Sequence, residues 1–411
     1  MSPSIRLTSL LLLLLLLVAV PAFAARPLTM EQAVALALER SPRLISTQAD
    51  AAAARAQLSG ASLLFQTNPD LQVAIGPRFR ASGNNVDVGA GVSQQLELFG
   101  QRGARRDAAA ATLSASESRL AVSQVELAAE VRQAFGRALA AEQELQLAND
   151  ALVLAEQGRD AAEQRLQAGA ASRIEVNTAR VALGQTQRAR VRAVQRRTQA
   201  LGELRLLLGI EPTDDIAPEG NLRAEAAAPP ILSVLLERAA AQRADLKAAK
   251  AELEAAQAEV RLASRGALPR PRLGVSYSQE EDAQIVQGTL GIDLPLFNRN
   301  QAARGISTAR AVQAERALAA TERFVRSEVV LALERYRTAL SAAEVFGGDV
   351  MAAVQENLKL VNEAYRAGKV DFLELLIIRR EALDTSRSYI EALEELNAAE
   401  AQLKKVVGNI Q

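Results

Sequence analysis

Arg165-Leu166-Gln167-Ala168-Gly169-Ala170-Ala171-Ser172-Arg173-Ile174-Glu175-Val176 recurs as Ala364-Tyr365-Arg366-Ala367-Gly368-Lys369-Val370-Asp371-Phe372-Leu373-Glu374-Leu375, with the two glycines 199 residues apart. In each copy a helix with heptad-like apolar spacing runs into an Ala-Gly turn. A second helix then opens three residues later on Ser172 or Asp371, with Glu175 or Glu374 at its third position. Glycine supplies the left-handed backbone that ends one helix, and Ser or Asp followed three residues on by Glu is a capping-box pattern for the next. Both stretches therefore read as the tips of helical hairpins.

The duplication extends beyond the tips. Leu96-Glu97-Leu98-Phe99-Gly100-Gln101-Arg102 recurs as Leu294-Pro295-Leu296-Phe297-Asn298-Arg299-Asn300, and Arg43-Leu44 is echoed by Asp245-Leu246. Two similar halves are predicted at residues 25–210 and 231–411. The linker between them, 211–230, contains Pro212, Pro218, Pro229 and Pro230 and reads as irregular.

Residues 1–24 have the parts of a secretory signal: Arg6, an apolar run from Leu7 to Val20, and Ala22-Phe23-Ala24 as a cleavage site. No later apolar run is long enough for a membrane helix, so any membrane crossing is made of strands. The chain has no cysteine, hence neither a disulfide nor a lipid-modified N-terminal cysteine. It also has no histidine, which excludes imidazole catalysis and the usual zinc or copper sites. Basic and acidic residues balance at 48 each, so no global field points to nucleic acid. No metal site is expected, and the composition suits a conduit or scaffold more than an enzyme.

Within the first half, Met30 to about Gln66 is rich in Ala, Leu, Glu and Gln and reads as helix, ended by Asn68-Pro69. From Leu71 the period drops to two. Leu71, Val73, Ile75 and Phe79 alternate with Gln72, Ala74, Gly76 and Arg78, predicting a strand over about 71–80 with one apolar face. After a turn at 81–85, Val86, Val88, Ala90 and Val92 alternate with Asp87, Gly89, Gly91 and Ser93 in a strand over about 86–98. The second half repeats the design at about 272–278 and 285–296, where Leu273, Val275, Tyr277, Val286 and Leu290 form the apolar face. Each strand approaches the ~10 residues that a tilted membrane strand requires.

No proline occurs between Pro77 and Pro212 or after Pro295, so nothing forces a break in the helices. Continuous helices are predicted over 101–167 and 299–366, each on the order of 100 Å at 1.5 Å per residue. Shorter helices return over Ser172 to about Leu208 and Asp371 to about Val407. Ala148, Leu152, Ala155, Arg159, Ala162 and Leu166 step by four and three, as do Gly347, Met351, Val354, Leu358, Val361 and Tyr365. These are coiled-coil seams, and off-seam apolar residues such as Val153 and Leu154 offer a second contact line. Four strands cannot close a barrel, and an open sheet in hydrocarbon leaves two edges of unpaired backbone at several kcal/mol per group. Two copies give eight strands with a nearly filled interior; an aqueous lumen requires at least three copies.

The duplicated strand hairpins and long helices, with tips at Gly169 and Gly368, resemble the TolC family of outer-membrane efflux proteins over nearly the whole mature chain. Gln95-Leu96-Glu97-Leu98-Phe99-Gly100-Gln101-Arg102 and Leu294-Pro295-Leu296-Phe297-Asn298-Arg299-Asn300-Gln301 look like its CzcC-type, heavy-metal-efflux branch. The resemblance implies a mainly α fold with a membrane β part. In it, duplicated helical hairpins form a trimeric α-helical barrel, and four strands per chain contribute to a 12-stranded β-barrel in the outer membrane of a Gram-negative bacterium. It further implies a passive exit duct for divalent heavy-metal cations, with a long periplasmic portion and no cofactor. The implied partners are a periplasmic adaptor protein and a proton-driven inner-membrane pump of the RND type. Small organic toxins or type I secretion substrates are the alternative cargo.

By the same resemblance, Ala168, Gly169, Ser172, Ala367, Gly368 and Asp371 would dock the adaptor, and Glu175 and Glu374 would line the narrow periplasmic aperture. Val370 and Ile377 stand where the family pattern has an arginine and a second acid, a departure from the family's salt-bridge lock. Bland readings stand beside these: Gly169 and Gly368 as helix C-caps, Glu175 and Glu374 as capping-box partners, and Arg159 as a snorkelling edge residue. Glu280, Glu281 and Asp282 read as a solvated hairpin tip without assigned function. A periplasmic coiled-coil adaptor would share the helices but has no use for strands apolar on one face. A carboxylate-based glycosidase expects an aromatic-lined pocket, and this chain has 3% aromatic residues and no tryptophan.

Overall fold

The computed structural model describes residues 26–80, 83–222, 230–280 and 283–408. The expected signal segment 1–24, Ala81 and Ser82 of the first strand turn, Glu281 and Asp282 of the second, and Asn409-Ile410-Gln411 lie outside the described residues, as do 223–229 of the linker. Two compact units emerge, and each draws on both sequence halves. One comprises Met1–Arg40, Val131–Glu225 and Ala343–Asn397 in their described residues; the other comprises Ser41–Glu130, Ala226–Ala342 and Ala398–Gln411.

The elements in chain order are β1 (Arg26–Leu28), α1 (Met30–Arg40), a 3-10 turn at Pro42–Leu44, α2 (Ile45–Ala61), β2 (Asp70–Arg80), β3 (Gly83–Gln95), α3 (Gln101–Gln167) and α4 (Arg173–Leu208). They continue as β4 (Ile216–Pro218), α5 (Leu232–Gln242), α6 (Ala244–Arg265), β5 (Arg272–Glu280), β6 (Ala283–Gly291), α7 (Gln301–Val345), α8 (Asp349–Arg366) and α9 (Phe372–Val406). The fold is thus mainly helical with a small β part. One piece of the expected irregular linker is ordered: Ile216–Pro218 pairs in parallel with Arg26–Leu28, and Ile216 is buried. A three-residue strand is too short for a periodicity to show it.

The four long strands form one antiparallel sheet in the order β2-β3-β5-β6. Its register places Leu71 opposite Val92, Val73 opposite Ala90, Ile75 opposite Val88, Val92 opposite Val275, Ala90 opposite Tyr277, and Leu273 opposite Leu290. The large apolar residues of all four strands, Ile285 excepted, therefore share one face, and they stand open, with Ile75 at 71% and Leu290 at 74% exposure. The other face is polar. Arg78 of β2 reaches Asp87 of β3 at 2.7 Å and Glu280 of β5 at 2.9 Å. β2 and β6 each have one unpaired edge within the chain.

Strand ends differ from the expected 98 and 296. β3 stops at Gln95 and β6 at Gly291, because their common neighbour β5 begins only at Arg272, after Pro269 and Pro271. Beyond Gln95 the Leu96 N–H still donates to the Pro271 carbonyl at 2.8 Å. Glu97 then turns inward to a buried ion pair with Arg105 at 2.6 Å, and Arg105 also donates to the Ala61 carbonyl. Strand pairing extends further than expected, to Arg80 opposite Gly83 and Glu280 opposite Ala283.

The structural duplicate of the entry into α3 is also offset from the sequence match. Gly100 (φ +78°) precedes Gln101 of α3, and Asn300 (φ +58°) precedes Gln301 of α7. In both, the glutamine carboxamide oxygen accepts the N–H two residues earlier at 2.8 Å, from Phe99 or Arg299. The equivalence is therefore Gly100 with Asn300, not with Asn298, and asparagine is the non-glycine residue best suited to the left-handed region.

The first long helix is continuous for 67 residues, as expected. The second is not. It breaks at Phe346-Gly347-Gly348, with Gly348 at φ +56°, so Gly347 belongs to a break and not to a helical seam. The reason lies in the spacing: helix entries correspond at a shift of 200 residues, but tip glycines correspond at 199. The second copy is thus one residue shorter, which would rotate a continuous helix by about 100° and take its seam off the core. Paired glycines absorb the slip. Above the break burial matches at 200 (Val125 with Val325, Ala129 with Val329), and below it Ala162 and Val361 are both buried at 199.

Candidate functional site

The two tips are built alike. α3 ends in a left-handed Gly169 (φ +71°), with Ala170 N–H donating to the Arg165 carbonyl at 2.8 Å. α8 ends in Gly368 (φ +69°), with Lys369 N–H donating to the Ala364 carbonyl at 2.9 Å. Both are Schellman closures, so the C-cap reading of these glycines holds. The next helices start on the expected caps: Ser172 Oγ accepts the Glu175 N–H at 3.2 Å, and Asp371 Oδ1 accepts the Glu374 N–H at 2.8 Å. Ala168, Gly169, Ser172, Ala367, Gly368 and Asp371 are all exposed.

The reciprocal arm of a capping box is absent from both copies among the described residues, which corrects that part of the expectation. The Glu175 carboxylate instead accepts a hydrogen bond from the Tyr365 hydroxyl at 2.8 Å and lies 3.6 Å from Arg165 Nε. Its side chain is 16% exposed. Glu374 is exposed and makes no ion pair or side-chain hydrogen bond among the described residues. The pattern that names two equivalent acids thus yields one engaged carboxylate and one free one.

Arg165 and Tyr365 tie the tips together, and the sequence reading gave neither a functional role. The Arg165 guanidinium stacks 5.0 Å from the Tyr365 ring centre and donates to the Ala170 carbonyl of its own tip and the Tyr365 carbonyl of the other. Tyr365 also packs at 5.7 Å on Phe372, within an apolar cluster of Ala162, Val176, Ala179, Val361 and Leu375. Burial first, then the hydrogen bond to Glu175, raise the Tyr365 hydroxyl well above the ordinary tyrosine pKa.

Two turns up, the 199-residue shift maps one interhelical pair onto another. Arg180 of α4 pairs with Glu163 of α3 at 2.8 Å, while Arg379 of α9 meets Asn362 of α8. Asparagine carries no charge to hold the guanidinium at the surface, and Arg379 turns inward to donate to the Leu154 carbonyl of α3 at 2.7 Å. Gly158 makes the room: a Cβ there would sit 2.9 Å from Arg379 Nη1. Burial lowers the Arg379 pKa to about 10, which still leaves it charged at neutral pH. The signal was available in the sequence, as the unmatched Glu163/Asn362 pair at the repeat spacing. Arg159, the charge within the first seam, pairs with its neighbour Asp160 at 2.8 Å, and Glu163 and Glu156 add to the negative surroundings that raise its pKa.

No group of three or more Asp or Glu side chains is placed to hold a metal ion among the described residues, and no described helix is long and apolar enough to cross a membrane. One unit carries a duplicated pair of helical tips, and the other a sheet with one exposed apolar face. The sequence pattern of the family described as outer membrane efflux protein matches residues 33–210 and 235–409. This chain belongs to that family.

Among relatives of this efflux protein, the cobalt-zinc-cadmium resistance protein CzcC of Cupriavidus metallidurans is 24% identical over 94% of this chain and 92% of its own length. The pyoverdine export outer membrane protein OpmQ of Pseudomonas putida is 26% identical over 87% and 79%. The crystal structure of CusC superposes with a TM-score of 0.75 at 20% identity, covering 92% of each chain. The efflux family consists of outer-membrane channels and not of enzymes, and its members serve tripartite export systems.

Proposed function

We propose that this chain is the exit duct of a tripartite system exporting divalent heavy-metal cations, and that it works as a homotrimer. The observation that carries the assembly is the sheet. β2 and β6 each have an open edge, and Leu71, Val73, Ile75, Val86, Val275 and Leu290 stand exposed on one face. Hydrocarbon tolerates that face and forbids those edges, so β6 of one copy pairs with β2 of the next until twelve strands close with the polar face, Arg78, Asp87 and Glu280 included, around the lumen.

The metal cargo is favoured by the likeness to CzcC, which spans nearly both chains. The duct itself conducts passively, its energy coming from a proton-driven inner-membrane pump, and Ala168, Gly169, Ser172, Ala367, Gly368 and Asp371 present the periplasmic ends to an adaptor. Of the two candidate aperture acids, Glu374 has its carboxylate free to meet a cation; Glu175 is committed to Tyr365. The likeness to OpmQ favours a second reading, in which the cargo is a small organic molecule. Tolerance of a deletion strain to zinc, cobalt and cadmium, compared with organic toxins and siderophore export, separates the two. Metal sensitivity alone, restored by this chain, is expected; sensitivity confined to organic compounds overturns the metal reading.

A further inference from the structure

Within the tip-bearing unit, a cavity of about 200 Å³ opens between α3, α4 and α9, lined by Glu144, Arg192, Arg196, Leu383 and Arg387 among others. Three guanidinium groups from two helices line it with one carboxylate, and the half-buried Glu394 stands near that carboxylate and Arg196. Glu144 is buried and paired with Arg196, so that charge is spent. Arg192 and Arg387 make no hydrogen bond or ion pair among the described residues, and they come from opposite hairpins of the duplicated fold. Arg192 is exposed and Arg387 half-buried, and two like charges lining one cavity repel; an anion between them removes that repulsion, and the planar fork of arginine is shaped for the oxygens of such an anion. The volume accepts a tetrahedral oxyanion with a few waters, each occupying about 30 Å³.

We propose that this cavity binds a small oxyanion, held by Arg192 and Arg387, with inorganic phosphate and sulfate as its simplest occupants. The bound anion bridges α4 of the first hairpin to α9 of the second. It therefore stabilises the packed arrangement of the two hairpins and becomes a ligand of that conformation alone, which acts on the helices irrespective of what the duct carries.

The test uses the detergent-purified full chain. Its thermal unfolding midpoint is measured against phosphate or sulfate up to about 20 mM, with chloride at matched ionic strength to cancel general screening. A saturable rise with phosphate or sulfate and none with chloride is expected. Arg192→Gln and Arg387→Gln should each weaken the apparent affinity about tenfold or more, while raising the anion-free midpoint by removing the repulsion. Arg188→Gln, one turn away on α4 and outside the cavity lining, should respond as the wild type. Calorimetric titration of wild type with phosphate, and of Arg192→Lys, which keeps the charge but loses the fork, keeps the test decisive if a glutamine variant folds poorly. Equal midpoints in phosphate and chloride, or a full rise retained in both glutamine variants, would overturn the proposal. So would glutamine variants that destabilise the oligomer without any phosphate effect, which would show a carboxylate of a second copy to be the natural occupant.

Discussion

The first and second tips share a backbone down to their Schellman closures and cap bonds, yet their acids have opposite fates. Glu175 is shielded and held by Tyr365 and Arg165; Glu374, at the equivalent position, is exposed and free. One level up, Arg180 stays in a surface pair with Glu163, while Arg379 buries itself on the Leu154 carbonyl. Duplication copies the backbone geometry because glycine and a capping side chain suffice to specify it. The side-chain chemistry diverges because each copy also packs against the other, whose residues at the equivalent positions differ.

The largest expected effect tests whether both tips serve one partner. Ala168→Trp and Ala367→Trp, at exposed positions outside the cap bonds, should each abolish efflux by blocking the adaptor while leaving oligomer yield unchanged. Undiminished cross-linking of either variant to the adaptor would assign docking to one tip alone or to neither.

On the lipid side, Val88→Arg should cost about 2 to 4 kcal/mol in membrane assembly, whereas Gly89→Arg, on the polar face, should be tolerated. Equal loss of barrel assembly in the two variants would refute the facing.

Between the arginines the contrast is one of burial. Arg379→Ala removes the second donor to the Leu154 carbonyl, which keeps its bond within α3, and opens a void, for a loss of about 1 to 2 kcal/mol, while Arg180→Ala removes an exposed pair worth less than about 1 kcal/mol. Denaturant midpoints in detergent measure both. Gly158→Ala should stabilise the Arg379→Ala background by up to about 1 kcal/mol through helix propensity but lose that gain in wild type, since its added carbon clashes only with that guanidinium.

Tyr365→Phe should cost about 1 to 2 kcal/mol by stripping the buried Glu175 carboxylate of its hydroxyl donor. The pH dependence has a definite sign. A tyrosine pKa raised in the folded state gives stability that is complete below the ordinary value near 10 and is lost as pH rises beyond it. Wild type should therefore lose stability more steeply than Tyr365→Phe in alkaline solution, and absorbance titration should find Tyr365 deprotonating late.

The smallest effect on stability carries the finest distinction. Glu374→Gln should leave the unfolding midpoint unchanged yet reduce cation preference and trivalent-cation block in planar bilayers, because in the proposed trimer it deletes a ring of carboxylates at the aperture. Glu175→Gln should leave block unchanged, and the reverse result would exchange the roles of the two acids.

Local chemistry made much of this molecule legible in advance. Period-two alternation gave the facing of all four strands, the absence of proline gave the 67-residue α3, and Ser172, Asp371, Gly169 and Gly368 gave the tips. Each is a property of a few adjacent residues, or of one repeating period, and so survives without knowledge of neighbours. What required the tertiary structure depended on partners far along the chain. The prolines before β5 decide where β3 and β6 end, and the one-residue deficit of the second copy decides that Gly347-Gly348 breaks a helix. Tyr365, 190 residues away, decides that Glu175 is not a free acid. A carboxylate's role is set by what shares its low-dielectric surroundings, and spacing along one helix does not encode that.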